Sequence, residues 1–153
     1  MGRAARGVQG MRLDGKDTVV GMEIVDPNTK GAQILTVTEN GYGKRTPTEE
    51  YRVQGRGGSG IMTMKITDKN GPVVAVRQVL DNDEIIIASN QGKVIRTRVS
   101  EISEVGRVAQ GVRLIHLEQG EAVGAVAKIV EKDDEDAKED DAPPAPGTPQ
   151  GNA

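Results

Sequence analysis

The sequence predicts an all-β protein, a propeller-like array with one blade per repeat. A template of Gly-Arg, three residues, Gly, Val or Ile, two residues, Met or Ile, one residue, and Leu or Ile recurs from Gly2, Gly55 and Gly106, spaced 53 and 51 residues apart. A fixed period of that size marks a propeller or another repeat array. About four short strand patterns and no convincing helix fall within each 51 residues. The 20 glycines suit frequent tight turns, and with only two aromatics, Tyr42 and Tyr51, a core must be built from Val, Ile, Leu, Met and Ala.

Between the templates the chain repeats as well. A shift of 51 carries Leu35–Ile66 onto Ile86–Leu117, matching Gly41 with Gly92, Arg45 with Arg96, Thr46 with Thr97 and Glu50 with Glu101. The expected units are about 1–30, 31–80 and 81–130, the first cut short at its Gly-Arg.

Residues 1–13 read as the end of a unit. Residues 18–25, Thr-Val-Val-Gly-Met-Glu-Ile-Val, read as a strand of mixed periodicity, followed by a turn over 26–31. Residues 32–38 are rich in β-branched types and form the next strand. Asn40-Gly41 is a hairpin turn signal, with a short strand from Tyr42 to Thr46. Pro47 forbids a central strand, so 46–51 is a connection. Ile61–Thr67 alternates as a strand and Asp68–Gly71 turns. Val73–Leu80 and Glu84–Ser89 are strands around the turn 81–83, and Gln91-Gly92 repeats the hairpin. Val112–Leu117 and Ala122–Val130 complete the last unit around Glu118-Gln119-Gly120. From Glu131 the chain is charged and then rich in Pro and Gly. Such a segment buries too little surface to offset its ordering entropy, so 131–153 is expected to be disordered.

Composition excludes several chemistries. The chain has no cysteine, so neither disulfides nor thiolate metal sites are available. No stretch approaches the roughly 18 apolar residues of a membrane span, and no secretory signal follows Met1. His116 is the only histidine and is expected in a strand, as an ordinary polar residue. Gly55–Gly60 is glycine-rich but lacks the Gly-Lys-Ser/Thr ending of a phosphate loop. No catalytic and no metal-ligating residues are expected.

The basic residues are more informative. Net charge is −3, but residues 131–141 hold eight acids and two lysines, leaving 18 basic and 15 acidic residues over 1–130. A mildly basic body with an acidic tail suits a polyanion-binding surface with a competing tail; the alternative is a tail that only aids solubility. Arg3, Arg56 and Arg107 share one repeat position, and Arg45 and Arg96 share another. Arg6, Lys44, Arg52, Lys93, Arg98 and Arg113 lie near them. On repeated blades these residues would form a stepped basic band, matched to the regular phosphates of a duplex and indifferent to base sequence. The competing expectation is structural pairing of Arg45 with Glu50 and Arg96 with Glu101. Scarce aromatics argue against single-strand binding.

Asn40–Thr46, Ile95–Ile102 and Val105–Arg107 through Gln110–Val112 resemble the C-terminal domain family of the bacterial DNA gyrase A protein, and the resemblance runs from about Met1 to Val130. It implies a β-pinwheel, a propeller relative whose blades exchange strands and whose basic perimeter bends DNA around itself. It implies roughly the last two blades and the end of the one before. It also implies support for ATP-dependent negative supercoiling by a cytoplasmic, nucleoid-associated A2B2 heterotetramer of the gyrase A and gyrase B proteins. ATP and magnesium would belong to that holoenzyme; no cofactor is expected in this chain, and no membrane partner. The chain departs from the family pattern in lacking the cleavage core, so neither Tyr42 nor Tyr51 corresponds to its nucleophile, and no enzyme activity of its own is implied. The family's basic signature box is absent: Gln54–Gly60 resembles it with a glycine and a serine at two basic positions. The alternatives are the C-terminal domain of the related topoisomerase IV protein and a protein-interaction propeller fragment that does not bind DNA.

Overall fold

The computed structural model describes residues 2–129; the tail expected to be disordered lies outside the described residues. Within them the structure is all-β, with seven strands and two single 3-10 turns. β1 (Gln33–Thr38) and β2 (Tyr42–Pro47) form one hairpin, and β4 (Glu84–Ser89) and β5 (Val94–Arg98) form another. β3 (Val73–Val79) lies antiparallel on the free side of β1, and β7 (Val123–Ile129) does the same on β4. The short β6 (Val112–Arg113) pairs with β2. The sheets are therefore ordered β3-β1-β2-β6 and β5-β4-β7.

The two hairpins are built alike because their sequences are. Thr38 and Ser89, 51 residues apart, each end a first strand. The Thr38 hydroxyl oxygen accepts from the Tyr42 N–H at 3.3 Å, and the Ser89 hydroxyl oxygen accepts from the Gln91 and Lys93 N–H groups at 3.2 and 3.1 Å. Gly41 and Gly92 close the turns at φ 83° and 86°, angles that a side chain disfavours. The register of β1 on β3 slips after Val37, and that of β4 on β7 slips after Ala88, again 51 positions on. A 3-10 turn follows each hairpin, at Thr48–Glu50 and Val99–Glu101. Pro47 ends β2 as the missing N–H requires.

One aliphatic core joins the sheets. Leu35, Val37 and Val79 from the first pack with Ile85, Ile87 and Val126 from the second, and Val99, Ile102 and Ile115 close it. Leu35, Ile85 and Ile87 are completely buried, each contributing about 1.5–3 kcal/mol by removal from water.

Three strand expectations are corrected. Residues 18–25 and 61–67 form no strand. Their repeat counterparts pair with hairpins: β3 and β7 with the hairpin just before them, and β6 with the hairpin of the preceding unit. Among the described residues neither 18–25 nor 61–67 has a hairpin edge to bond in that way, and strand-forming residues without a neighbour to bond do not make a ladder. The strand expected over 112–117 stops at Arg113, so His116 is not in a strand. The Leu114 and Ile115 N–H groups both turn onto the Gly41 carbonyl, where the edge of β2 ends.

Candidate nucleic-acid interface

The Gly-Arg segments carry the glycines that bend the chain. Gly7, Gly60 and Gly111 hold the same repeat position at φ 82°, 78° and 79°. Backbone hydrogen bonds join the segments in series. The Gly57 N–H donates to the Gly10 carbonyl at 2.9 Å, and the Arg12 N–H to the Gly58 carbonyl at 2.8 Å. From the second segment to the third, the Lys65 N–H donates to the Ala109 carbonyl at 3.3 Å and the Arg107 guanidinium to the Met62 carbonyl at 2.9 Å. Buried Asn70 adds a clasp, its amide nitrogen donating to the Lys65 and Gln110 carbonyls at 2.9 and 3.2 Å. The three segments are thus laid side by side.

The expected basic residues divide into groups. Arg3, Arg6, Arg52 and Arg56 are exposed, and no side-chain ion pair involves them among the described residues. Arg107 is half-buried; besides its bond to Met62, its backbone N–H donates to the Glu50 carboxylate at 3.2 Å. Arg113 is exposed and reaches across to Tyr42, donating to the phenol oxygen at 2.9 Å with its guanidinium 5.4 Å from the ring centre.

The second group is tied up in the fold. Lys44 is a correction: its side chain is 0% exposed and cannot reach a surface ligand. Its ammonium donates to the Gly106 and Arg107 carbonyls, both at 2.6 Å, anchoring the third Gly-Arg segment against β2. Burial pushes its pKa down from 10.5 to about 8, against the opposing pull of Glu50 and with added repulsion from Arg107. Arg45 is a second correction, with a side chain only 12% exposed. It donates to the Ile102 carbonyl at 2.6 Å and the Gln33 side-chain oxygen at 2.9 Å, and it pairs with Asp81.

Arg96 pairs with Glu84, and Arg98 lies 3.8 Å from the same carboxylate. Lys93 donates to the His116 carbonyl at 2.6 Å and lies 3.4 Å from Glu121. The Ser89 hydroxyl, the Glu118 N–H and Lys93 together hold the Glu121 carboxyl below its usual range despite its burial. The structural partners expected for the arginines are also corrected. Arg45 meets Asp81 rather than Glu50, and Arg96 meets Glu84 rather than Glu101. Glu84 faces Arg98 in the β4–β5 register and lies two residues from the position facing Arg96, close enough for both guanidinium groups.

Sequence reasoning missed Lys69, whose ammonium lies 5.5 Å from the Tyr42 ring centre, with Arg113 also over that ring. With Asn40, His116 and Glu118 these residues line a cleft of about 470 Å³. Position 69 shifts onto Gly120, so no repeat argument could have found it.

Comparison with known proteins agrees with this architecture. The sequence matches the family described as DNA gyrase C-terminal domain, beta-propeller, over residues 1–26, 32–79 and 83–129. It is 48% identical over 134 residues to the DNA gyrase A protein of Staphylococcus epidermidis strain ATCC 12228, covering 88% of this chain and 15% of that protein. It is 45% identical over 141 residues to the DNA gyrase A protein of Staphylococcus aureus strain NCTC 8325, covering 92% of this chain and 16% of that protein. The chain thus spans about 15% of the length of the curated relatives it matches. A solved DNA gyrase A C-terminal domain superposes with a TM-score of 0.62 at 33% identity, over 64% of this chain and 33% of that one. The C-terminal domain of DNA topoisomerase IV gives 0.72 at 22% identity, over 80% and 38%, a likeness of fold.

Proposed function

Since this chain belongs to the DNA gyrase C-terminal, β-propeller family, we propose that it binds duplex DNA by charge along its Gly-Arg segments. Within a longer gyrase A-type polypeptide it would serve the wrapping that supports ATP-dependent negative supercoiling. The observation that carries this reading is the side-by-side arrangement of the three segments, with Arg3 and Arg56 exposed on two of them. Guanidinium groups beside glycine-rich backbone suit phosphates, and backbone N–H groups of such turns add further donors. Arg6, Arg52 and Arg113 extend the surface; Lys44 and Arg45 hold it together without touching DNA.

The remaining parts of the reading follow from the same kinship. The cleavage region of gyrase A, together with gyrase B, in an A2B2 enzyme of the bacterial cytoplasm and nucleoid, would supply strand cleavage and the use of ATP with magnesium. This chain would contribute binding and no catalysis. Gyrase is preferred to topoisomerase IV because the matching family is the gyrase C-terminal domain and the curated relatives at 45–48% identity are gyrase A proteins.

A mobility-shift titration tests the proposal. Arg3, Arg56 and Arg107 changed together to Ala should weaken duplex binding on the order of tenfold or more, equally for unrelated sequences, because phosphate contacts carry no base information. A triple variant that binds as the parent does, or a parent that does not bind duplex, rejects it.

A further inference from the structure

We propose that the cleft beside Tyr42 is a binding site for a phosphate group, held by Arg113, Lys69 and the Tyr42 hydroxyl. Its walls come from four segments of the chain. Tyr42 opens β2, and Lys69 lies in the turn just before β3. Arg113 and His116 belong to the segment 103–117, which covers the outer edge of β2. Glu118 and Glu121 bound the turn that leads into β7. The lining residues all fall within 40–121, and the space they enclose is about 470 Å³. That is the size of a small-ligand site.

Tyr42 is the centre of the site and is only 7% exposed. Its hydroxyl oxygen accepts from Arg113, and among the described residues its own O–H proton has no acceptor. A buried donor left without a partner is costly, and an anion in the cleft would satisfy it. Two cations stand at the same ring, the Arg113 guanidinium at 5.4 Å and the Lys69 ammonium at 5.5 Å from its centre. Both residues are exposed, and neither makes an ion pair among the described residues. They repel each other, and a multiply charged anion beside both relieves that repulsion. Arg113 gives one N–H to Tyr42 and brings another to 3.5 Å from His116 Nδ1, leaving the rest of its five donors for a ligand. Guanidinium, ammonium and phenol together suit the several oxygens of a phosphate.

The donors are held in place by the backbone. The Asn40 amide nitrogen donates to the Asp68 and Lys69 carbonyls at 3.4 and 3.2 Å, pinning the turn that carries Lys69. The Leu114 N–H donates to the Gly41 carbonyl at 2.8 Å, fixing the segment that carries Arg113. Of the two carboxylates in the lining, Glu121 is already engaged by the Ser89 hydroxyl, the Glu118 N–H and Lys93. Glu118 is exposed and makes no ion pair among the described residues. It is the group that opposes a phosphate here.

Pyrophosphate titrated into the full chain, at an ionic strength held constant with chloride, tests the proposal. His116 is the only histidine, so its ring resonances in a nuclear magnetic resonance spectrum report the cleft without ambiguity. They should move and saturate. Tyr42→Phe keeps the ring and removes the O–H, and Lys69→Gln removes the ammonium. Each should weaken pyrophosphate about tenfold, the worth of one hydrogen bond to a charged group. Glu118→Gln should tighten it by removing the repelling carboxylate. A short duplex that displaces the pyrophosphate would identify the natural group as a nucleic-acid phosphate. A duplex that leaves it bound would identify the phosphate of a small compound, and either result supports the site. The first titration contains no DNA, so its outcome stands apart from duplex binding by Arg3 and Arg56. His116 signals that do not saturate overturn the proposal. So do Tyr42→Phe and Lys69→Gln variants that keep the parent's far-ultraviolet dichroism and bind pyrophosphate as the parent does.

Discussion

Gly111 sits at φ 79°, and a Cβ there would lie 2.6 Å from the Gly43 carbonyl oxygen. Gly120 has nearly the same angle, 78°, with open space around it. The pair separates backbone strain from close approach. Gly120→Ala should lower stability by about 1–3 kcal/mol through the angle alone, and Gly111→Ala should lower it clearly further, as read by urea denaturation; equal losses would show that strand β2 and its covering segment do not approach so closely. Lys44 gives a second test at this scale. Its folded pKa of about 8 lies below the ordinary 10.5, so between those values the unfolded chain holds a proton that the folded chain has released. Stability linked to this group therefore rises with pH across that window and is lost as pH falls through 8. The stability difference between the parent and Lys44→Met should shift in the parent's favour from pH 8 to 10, and a difference independent of pH would mean that the ammonium is solvated. None of this burial was legible in the sequence, where Lys44 stands among polar and basic neighbours; its destination is set by carbonyls 62 and 63 residues away.

At the scale of elements, the hairpins were legible and the crossings were not. Asn40-Gly41 and Gln91-Gly92 encode their turns locally, and the β-branched runs beside them find partners within the same hairpin. Residues 18–25 and 61–67 have equally good strand composition but find no hairpin edge among the described residues, which local pattern cannot reveal. The same exchange produced the correct half of the reading, because β6 crosses from one unit to complete the sheet of another. Amide hydrogen exchange should rank the elements accordingly: β1 and β4, bonded on both sides, slowest; β5 faster; 18–25 fastest. Protection of 18–25 comparable to β1 would contradict the account of why that segment forms no strand. The arginine partners were misjudged for a related reason. Constant offsets of five residues suggested Arg45–Glu50 and Arg96–Glu101, but β-sheets bring together residues across strands, and Asp81 and Glu84 lie nearer.

Over the whole molecule, charge is divided between a body of net +3 over 1–130 and a tail with eight acids over 131–141. Removal of 131–153 should tighten duplex binding severalfold at low salt, by lifting competition for the same cations, and the gain should shrink as salt screens it; an unchanged affinity would leave the tail as a solubilising segment. The repeat period made the architecture readable from the sequence, while the division of basic residues into exposed and structural groups is set by contacts between distant segments. The central claim is that the arginines of the Gly-Arg segments, two of them exposed and one half-buried, hold a double helix by its phosphates. Its most direct test is the dependence of duplex affinity on salt. The account expects a straight log–log plot with a slope on the order of −3 to −5, made shallower by about one unit for each of Arg3, Arg56 and Arg107 changed to Ala. A slope near zero, or one that these changes leave untouched, would contradict it.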